Sequence, residues 1–297
     1  MTKQPALDPT LTDTALIFEG GGMRCASSAP IAQALLENEI YFPWVGGISA
    51  GSSNTVNYLS RDIVRTRLSF TDFAADPNFG NLRTLLQGKG FFNAQYIYQH
   101  TSEPDEALPF DFDTFYRQTA RLTIGAFNAN SGETVYWHNE DMVEPIDVML
   151  RVQASSTMPA IMPICEIDGE EYVDGALGVS GGVPLDAAMA DGYEKFLVVL
   201  TRPRNFVKPE VPRPNLLRRT FSSHPAIAES LIDRPRRYNE TKRKLLELEE
   251  EGRAILYFPE EMPLTSRTRN VRRLREAYED NLQRARQLLP SWLDFLS

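Results

Sequence analysis

The sequence predicts a layered α/β fold. Apolar runs of strand length alternate with helical periodicity, and one arrangement, strand then glycine turn then helix, occurs twice near the N-terminus. Thr14-Ala15-Leu16-Ile17-Phe18 reads as a buried strand, Gly20-Gly21-Gly22 as the turn, and Ile31, Ala34, Leu35 and Leu36 as the apolar stripe of the helix. The second copy places a strand over the apolar run 40–45, a turn at Gly47-Ile48-Ser49-Ala50-Gly51 and a helix over 52–60. Two glycine turns are thereby expected at one edge of a sheet.

Further along, turn signals and short amphipathic pieces at 82–86 and 94–100 make 69–109 a helical excursion placed to cover a site. Strands are expected at 122–127 and 134–138 around Asn128-Ala129-Asn130-Ser131-Gly132, and a helix at 145–154. Glu171-Tyr172-Val173 reads as a strand that puts Asp174 at its end, and 195–201 as another buried strand. Four prolines in 202–214 mark a connector. Beyond it, 227–251 and 271–289 have helical periodicity, with an edge strand over 254–258 between them, and this tail is expected to pack on the same core.

A chain of 297 residues with 42% hydrophobic and 24% charged residues has enough apolar material for a large core, which excludes a disordered chain. Its apolar runs, such as Phe196-Leu197-Val198-Val199-Leu200, fall far short of the roughly 20 residues a membrane-spanning helix needs. Residues 1–13 hold no apolar signal core, so a cytoplasmic protein is expected. Cys25 and Cys165 are too few for a disulfide framework or a thiolate cluster and read as small buried side chains.

The net charge of −9 excludes broad nucleic-acid binding, which requires a positive footprint. Charge is unevenly spread: residues 1–201 hold 11 basic and 26 acidic side chains, and residues 202–297 hold 20 and 14. Solvated helix faces account for the basic tail. Together with Phe91, Phe92 and Tyr96 in the covering segment, it also suggests peripheral contact with an anionic membrane.

Three short motifs carry chemistry. In Gly47-x-Ser49-x-Gly51, small neighbours allow a sharp strand-to-helix turn that projects a hydroxyl into a cleft, with the positive end of the helix beside it. In Glu19-Gly20-Gly21-Gly22-Met23-Arg24, consecutive glycines let backbone N–H groups converge on one point, as an oxyanion requires. A phosphate-cradling loop is the rival reading, but the Lys-Ser/Thr ending of a P-loop is missing and Cys25 stands where a dinucleotide fingerprint needs glycine. The serine also needs a proton acceptor. The chain has three histidines, His100, His138 and His224, none in a recognisable base motif. Asp174 in Asp174-Gly175-Ala176 is the other candidate, a carboxylate at a strand end that desolvation and hydrogen bonding must tune from its ordinary value near ~3.9.

Taken in order, the glycine loop, G-x-S-x-G and D-G-A resemble the patatin-like phospholipase family. Gly20 lies 29 residues before Ser49 and Asp174 lies 125 after it, a similar arrangement to that family's, and Ala154-Ser155-Ser156-Thr157-Met158-Pro159 is similar to the segment before its aspartate. One departure is Cys25, where many members have glycine. The resemblance implies a three-layer α/β/α fold with a mainly parallel central sheet. It places a catalytic core at 14–201 and leaves a basic, mostly helical region at 202–297. It also implies a serine lipid acyl hydrolase with a Ser49–Asp174 dyad, an oxyanion hole at Gly20, Gly21 and Gly22, and Arg24 meeting a substrate head group. The implied substrate is a lipid ester, with no metal and no cofactor. Two alternatives stay open: a Ser-His-Asp carboxylesterase with His224 as base, and a non-catalytic lipid-binding module.

Overall fold

The structure, a computed structural model, describes residues 5–296. From β1 (Thr14–Phe18) the chain passes through a 3₁₀ turn (Gly22–Ser27) into α1 (Ala29–Glu37), β2 (Trp44–Ile48) and α2 (Ala50–Leu59). Next come α3 (Ile63–Phe70), α4 (Leu82–Leu86), α5 (Ala94–Gln99) and α6 (Phe112–Tyr116), then β3 (Arg121–Asn128), β4 (Thr134–Trp137) and α7 (Pro145–Ser156). The antiparallel pair β5 (Cys165–Ile167) and β6 (Glu170–Asp174) precedes α8 (Leu185–Ala190) and β7 (Lys195–Val199). The chain ends with α9 (Pro214–Thr220), α10 (Pro225–Glu250), β8 (Ala254–Tyr257) and α11 (Val271–Leu296).

Every residue of β1 is buried because both faces of the sheet are covered. Leu16 and Phe18 point into a large cluster shared with α1, α2, α7 and α11, whereas Ala15 and Ile17 join a second cluster with α8 and α10. The result is a three-layer α/β/α fold. Sheet order is β5-β6-β3-β2-β1-β7-β8, with β4 on β3, and the run β3-β2-β1-β7-β8 is parallel.

β3 arranges the strands that matter most for the site. It pairs with β2 over 121–125, with β4 over 124–127 and with β6 over 126–128. Because β4 overlaps both of the others, it takes the opposite edge, and β2 and β6 share one edge end to end. Gly125 pairs with Ile48, the last residue of β2, and Ala126 pairs with Asp174, the last residue of β6.

Some boundaries differ from the sequence expectation. The second strand is Trp44–Ile48 rather than 40–45. Pro43 lacks the N–H a ladder needs, and Gly46, unfavourable in a strand by propensity, is required because a Cβ there would lie 2.3 Å from the Trp44 indole. α3 is an additional helix, capped by the Asp62 carboxylate, which accepts the Arg65 N–H at 2.8 Å. β5 is likewise additional: Asp168 and Gly169, both at positive φ, make the tight turn into β6.

The tail adds to the same layers. β8 extends the sheet beside β7, and α11 lies on α1, where the Tyr278 hydroxyl donates to Gln33 Oε1 at 2.7 Å and Arg286 pairs with Glu37. Phe92 is buried, and Phe91 and Tyr96 are half-buried and pack against the core. Leu274 on α11 is fully buried. Leu274→Ala should cost about 2–5 kcal/mol in chemical denaturation monitored through the whole chain, and an unmoved midpoint would show that α11 contributes no packing.

Candidate active site

Ser49 occupies the single residue between β2 and α2, with φ 58° and ψ −133°, a conformation that costs roughly 1–3 kcal/mol outside glycine. Close approach on both sides holds it there. A Cβ on Gly47 would lie 2.2 Å from the Gly51 carbonyl oxygen, and one on Gly51 would lie 2.3 Å from the Phe18 carbonyl oxygen. The glycines of the G-x-S-x-G motif are thus demanded by backbone packed on backbone. The Ser49 N–H donates to Ser155 Oγ at 2.9 Å, and that hydroxyl donates onward to the Gly125 carbonyl at 2.6 Å, tying the turn to β3. Two polar residues of α2 bond back along the chain, Ser52 Oγ donating to the Ser49 carbonyl and Thr55 Oγ1 to that of Gly51, while Asn54 and Asn57 bond outward to Ser28 and Ser69.

Asp174 meets Ser49 because β2 and β6 end against each other on β3. Ser49 Oγ donates to Asp174 Oδ2 at 2.7 Å across 125 residues of sequence. The other carboxylate oxygen, Oδ1, accepts the Ala176 N–H at 2.9 Å, and the Asp174 N–H donates to the Thr157 carbonyl at 2.8 Å. Both side chains are deeply buried, Ser49 at 6% exposure and Asp174 at 7%. Burial raises the Asp174 carboxyl above the ordinary aspartate range, against the opposing pull of Arg234, the Ala176 N–H, Ser49 and Arg24. A carboxylate with a raised pKa accepts a proton more readily, which is what a serine hydroxyl requires of its partner.

The glycine loop lies directly against this pair. A Cβ on Gly20 would sit 2.9 Å from Ser49 Cβ, and the Gly20 N–H donates to the Gly182 carbonyl at 3.1 Å. Gly21 and Gly22 are different: among the described residues neither N–H has an acceptor in the protein, and Gly22 takes φ +55°. Gly22 and Ser49 line the same apolar cavity, with Tyr98, Phe92, Met158 and Met162 on its walls. The 69–109 segment supplies part of that wall. Arg24 follows in the 3₁₀ turn, at 8% exposure, with its Nε unpartnered. Cys25 fits beside it, fully buried, its thiol directed at the Glu19 carbonyl at 3.8 Å and pushed up to about 12 by burial. Side-chain bulk at that position is accommodated by the 3₁₀ turn that precedes α1.

Among the described residues no histidine hydrogen-bonds to Ser49 or Asp174. His224 Nε2 lies 2.9 Å from Glu171 Oε2 and its Nδ1 lies 3.1 Å from Ser223 Oγ, while His138 contacts Thr123 and the Leu122 carbonyl. Two residues near the dyad escaped the sequence reading. Ser155 stands in a recognised segment, yet its bond to the Ser49 backbone is a product of how α7 lies on β3. Arg234, whose charge acts on Asp174, comes from the middle of α10 and has no local motif to announce it.

No curated protein matches the sequence. Among solved structures, VipD from Legionella pneumophila aligns with a TM-score of 0.45 at 13% identity, covering 96% of this chain and 71% of that one. A family described as a domain of unknown function, DUF6363, matches residues 224–297. The family described as patatin-like phospholipase matches residues 16–189, more than half of the chain, with the glycine loop, Ser49 and Asp174 all inside the match, and the chain therefore belongs to the patatin-like phospholipase family, a family of lipid acyl hydrolases.

Proposed function

We propose that this protein hydrolyses acyl esters of lipids, in the manner of a phospholipase A or lysophospholipase, with Ser49 as nucleophile and Asp174 as its direct base. The observation that carries the reading is the 2.7 Å hydrogen bond from Ser49 Oγ to a buried carboxylate whose pKa is raised. In the first half-reaction Ser49 Oγ attacks the ester carbonyl carbon as its proton passes to Asp174 Oδ2. The negative charge that forms on the carbonyl oxygen is met by the free N–H groups of Gly21 and Gly22, and the positive end of α2 lies close by. Gly20, whose N–H is already engaged, contributes clearance beside Ser49. The tetrahedral intermediate then collapses: the bond to the alcohol oxygen breaks, Asp174 returns its proton to that oxygen, and an acyl-serine remains. Water attacks the acyl-serine while Asp174 takes its proton, and breakdown releases the fatty acid and restores the Ser49 hydroxyl. The apolar cavity beside Ser49 suits the acyl chain.

The engagement of His224 with Glu171 favours this reading over a Ser-His-Asp hydrolase. A lipid-binding module without turnover is separated from it by experiment.

Ser49→Ala and Asp174→Asn should each lower lipid-ester turnover by about 1000-fold or more with the fold retained, and a fluorophosphonate probe should label the wild type but not Ser49→Ala. Undiminished turnover in either variant would remove the dyad. His224→Ala should leave kcat/KM within about twofold; a loss of the size expected for Ser49→Ala would restore the histidine as base. The raised Asp174 pKa has opposite signs for activity and stability. Only the carboxylate accepts a proton, so kcat/KM should rise with pH through a limb above the ordinary aspartate value of ~3.9. Folding favours the protonated form, so the stability Asp174 contributes is fully present below its unfolded pKa and lost as pH rises through the folded one. Thermal unfolding should therefore find Asp174→Asn better placed relative to wild type at pH 7 than at pH 4, and the reverse order would contradict the raised pKa.

A further inference from the structure

Most of the basic side chains in the tail are spoken for. Arg218 pairs with Glu229, Arg236 with Asp233 and Glu240, Arg237 with Asp233, Arg275 with Asp72 and Arg286 with Glu37. A group of cations behind the glycine loop behaves differently. Among the described residues Arg24, Arg202, Lys208 and Arg234 have no carboxylate within ion-pair distance, although they come from three separate places in the chain, the 3₁₀ turn, the connector at 202–214 and α10. The Nε atoms of Arg24 and Arg202 are buried without a hydrogen-bond partner, and Arg24 is more than nine-tenths buried. Unpartnered guanidinium N–H groups removed from water carry a cost that an anion would relieve.

These cations are held in place by aromatic rings and backbone. Phe206 and Tyr238 meet edge to face with centroids 6.1 Å apart. The Arg202 guanidinium lies 4.5 Å from the Phe206 centroid and Lys208 Nζ lies 4.5 Å from that of Tyr238. Arg234 Nε donates to the Gly181 carbonyl, and the neighbouring Gly182 carbonyl accepts the Gly20 N–H of the glycine loop. The carboxylates that act on this group, Glu19 and Asp174, are fewer than its basic side chains. Glu19 is itself committed, accepting the Thr201 N–H at 2.5 Å. The surplus shows in Lys208, pushed down to about 7 by burial first and then by Arg234, Arg24 and Arg202, against the pull of Glu19.

Position relative to the dyad identifies what such a site would hold. Arg24 and Arg234 both act on Asp174, yet none of the four cations lines the apolar cavity. The group thus adjoins the glycine loop and the dyad outside the apolar cavity, on a side left for the alcohol half of an ester whose acyl chain fills that cavity. Guanidinium groups converging from several elements suit the tetrahedral oxygens of a phosphate better than a single carboxylate.

We infer that Arg24, Arg202, Lys208 and Arg234 form a binding site for a phosphate ester, the head-group phosphate of a phospholipid whose acyl ester lies on Ser49. The inference rests on the acyl-hydrolase reading above and deepens it. Arg202, Lys208 and Arg234 lie outside the segment matched by the patatin-like family, so head-group selection comes from this chain's C-terminal part.

The test uses the full chain. For wild type and Arg202→Gln/Lys208→Gln, kcat/KM is measured on a lysophosphatidylglycerol and on a monoacylglycerol of the same acyl length. The ratio of the two should fall roughly tenfold or more in the double variant, chiefly through KM on the phospholipid, and the charge-retaining Arg202→Lys/Lys208→Arg should recover part of it. An unchanged ratio overturns the inference. Calorimetry on Ser49→Ala protein needs no turnover: sn-glycerol 3-phosphate should bind, more tightly than inorganic phosphate, and should lose that binding when Arg202→Gln and Lys208→Gln are added. Absence of binding, binding that survives the substitutions, or a preference for inorganic phosphate overturns the head-group assignment. If neither lipid is hydrolysed, the hydrolase reading fails, while calorimetry still decides whether the phosphate site exists.

Discussion

One edge of β3 is shared by two strand ends, and the candidate site depends on that constraint. β2 arrives parallel and stops at Ile48; β6 arrives antiparallel and stops at Asp174; consecutive residues of β3, Gly125 and Ala126, receive them. Neither strand can extend without colliding with the other, so both chains must turn off the sheet at the same place. That is where Ser49 and Asp174 come within hydrogen-bond distance. Ser155 bonds the Ser49 backbone to Gly125, so the same β3 residue that ends one ladder also anchors the turn leaving it.

Close backbone packing makes the turn stiff. Gly47 and Gly51 leave no room for a side chain, and Ser49 takes a positive φ that its surroundings enforce. A rigid turn matters for a serine paired with a carboxylate. In the proposed dyad no imidazole relays the proton, so the hydroxyl and its acceptor must already lie in line, and the acceptor must be made more basic by burial. Both conditions trace to the position of Asp174 at the end of a buried strand, where the protein excludes water and supplies only the Ala176 N–H to one of its carboxylate oxygens.

The C-terminal part shapes the same region from behind. β8 lengthens the sheet, α11 covers α1, and α10 carries Arg234 to a point where its charge acts on Asp174. The basic excess of the tail therefore divides into distinct populations. Many surface arginines are matched by carboxylates one helical turn away or on a neighbouring element, others such as Arg269 and Arg273 donate to backbone carbonyls, and the cations behind the glycine loop stay without ion pairs and include guanidinium Nε atoms buried without a partner.

Local chemistry was legible in the sequence. The strand at 14–18, the glycine turns, the helical pattern of the tail and the layered α/β class followed from periodicity and turn residues, because each depends on neighbours within a few positions. So did the choice of Ser49 and Asp174 as candidates, since their small neighbours mark tight turns wherever they occur. Boundaries were lost where packing overrides propensity: β2 runs through Gly46 because the Trp44 ring needs the space, which no window of sequence reveals. Only tertiary structure decided that residues 125 apart share a hydrogen bond, that Ser155 fixes the turn, and that Arg202, Lys208 and Arg234 gather behind the glycine loop with Arg24. These are long-range distances, set by the order of strands along an edge and by the layer on which each helix lies, and a linear pattern holds no trace of either.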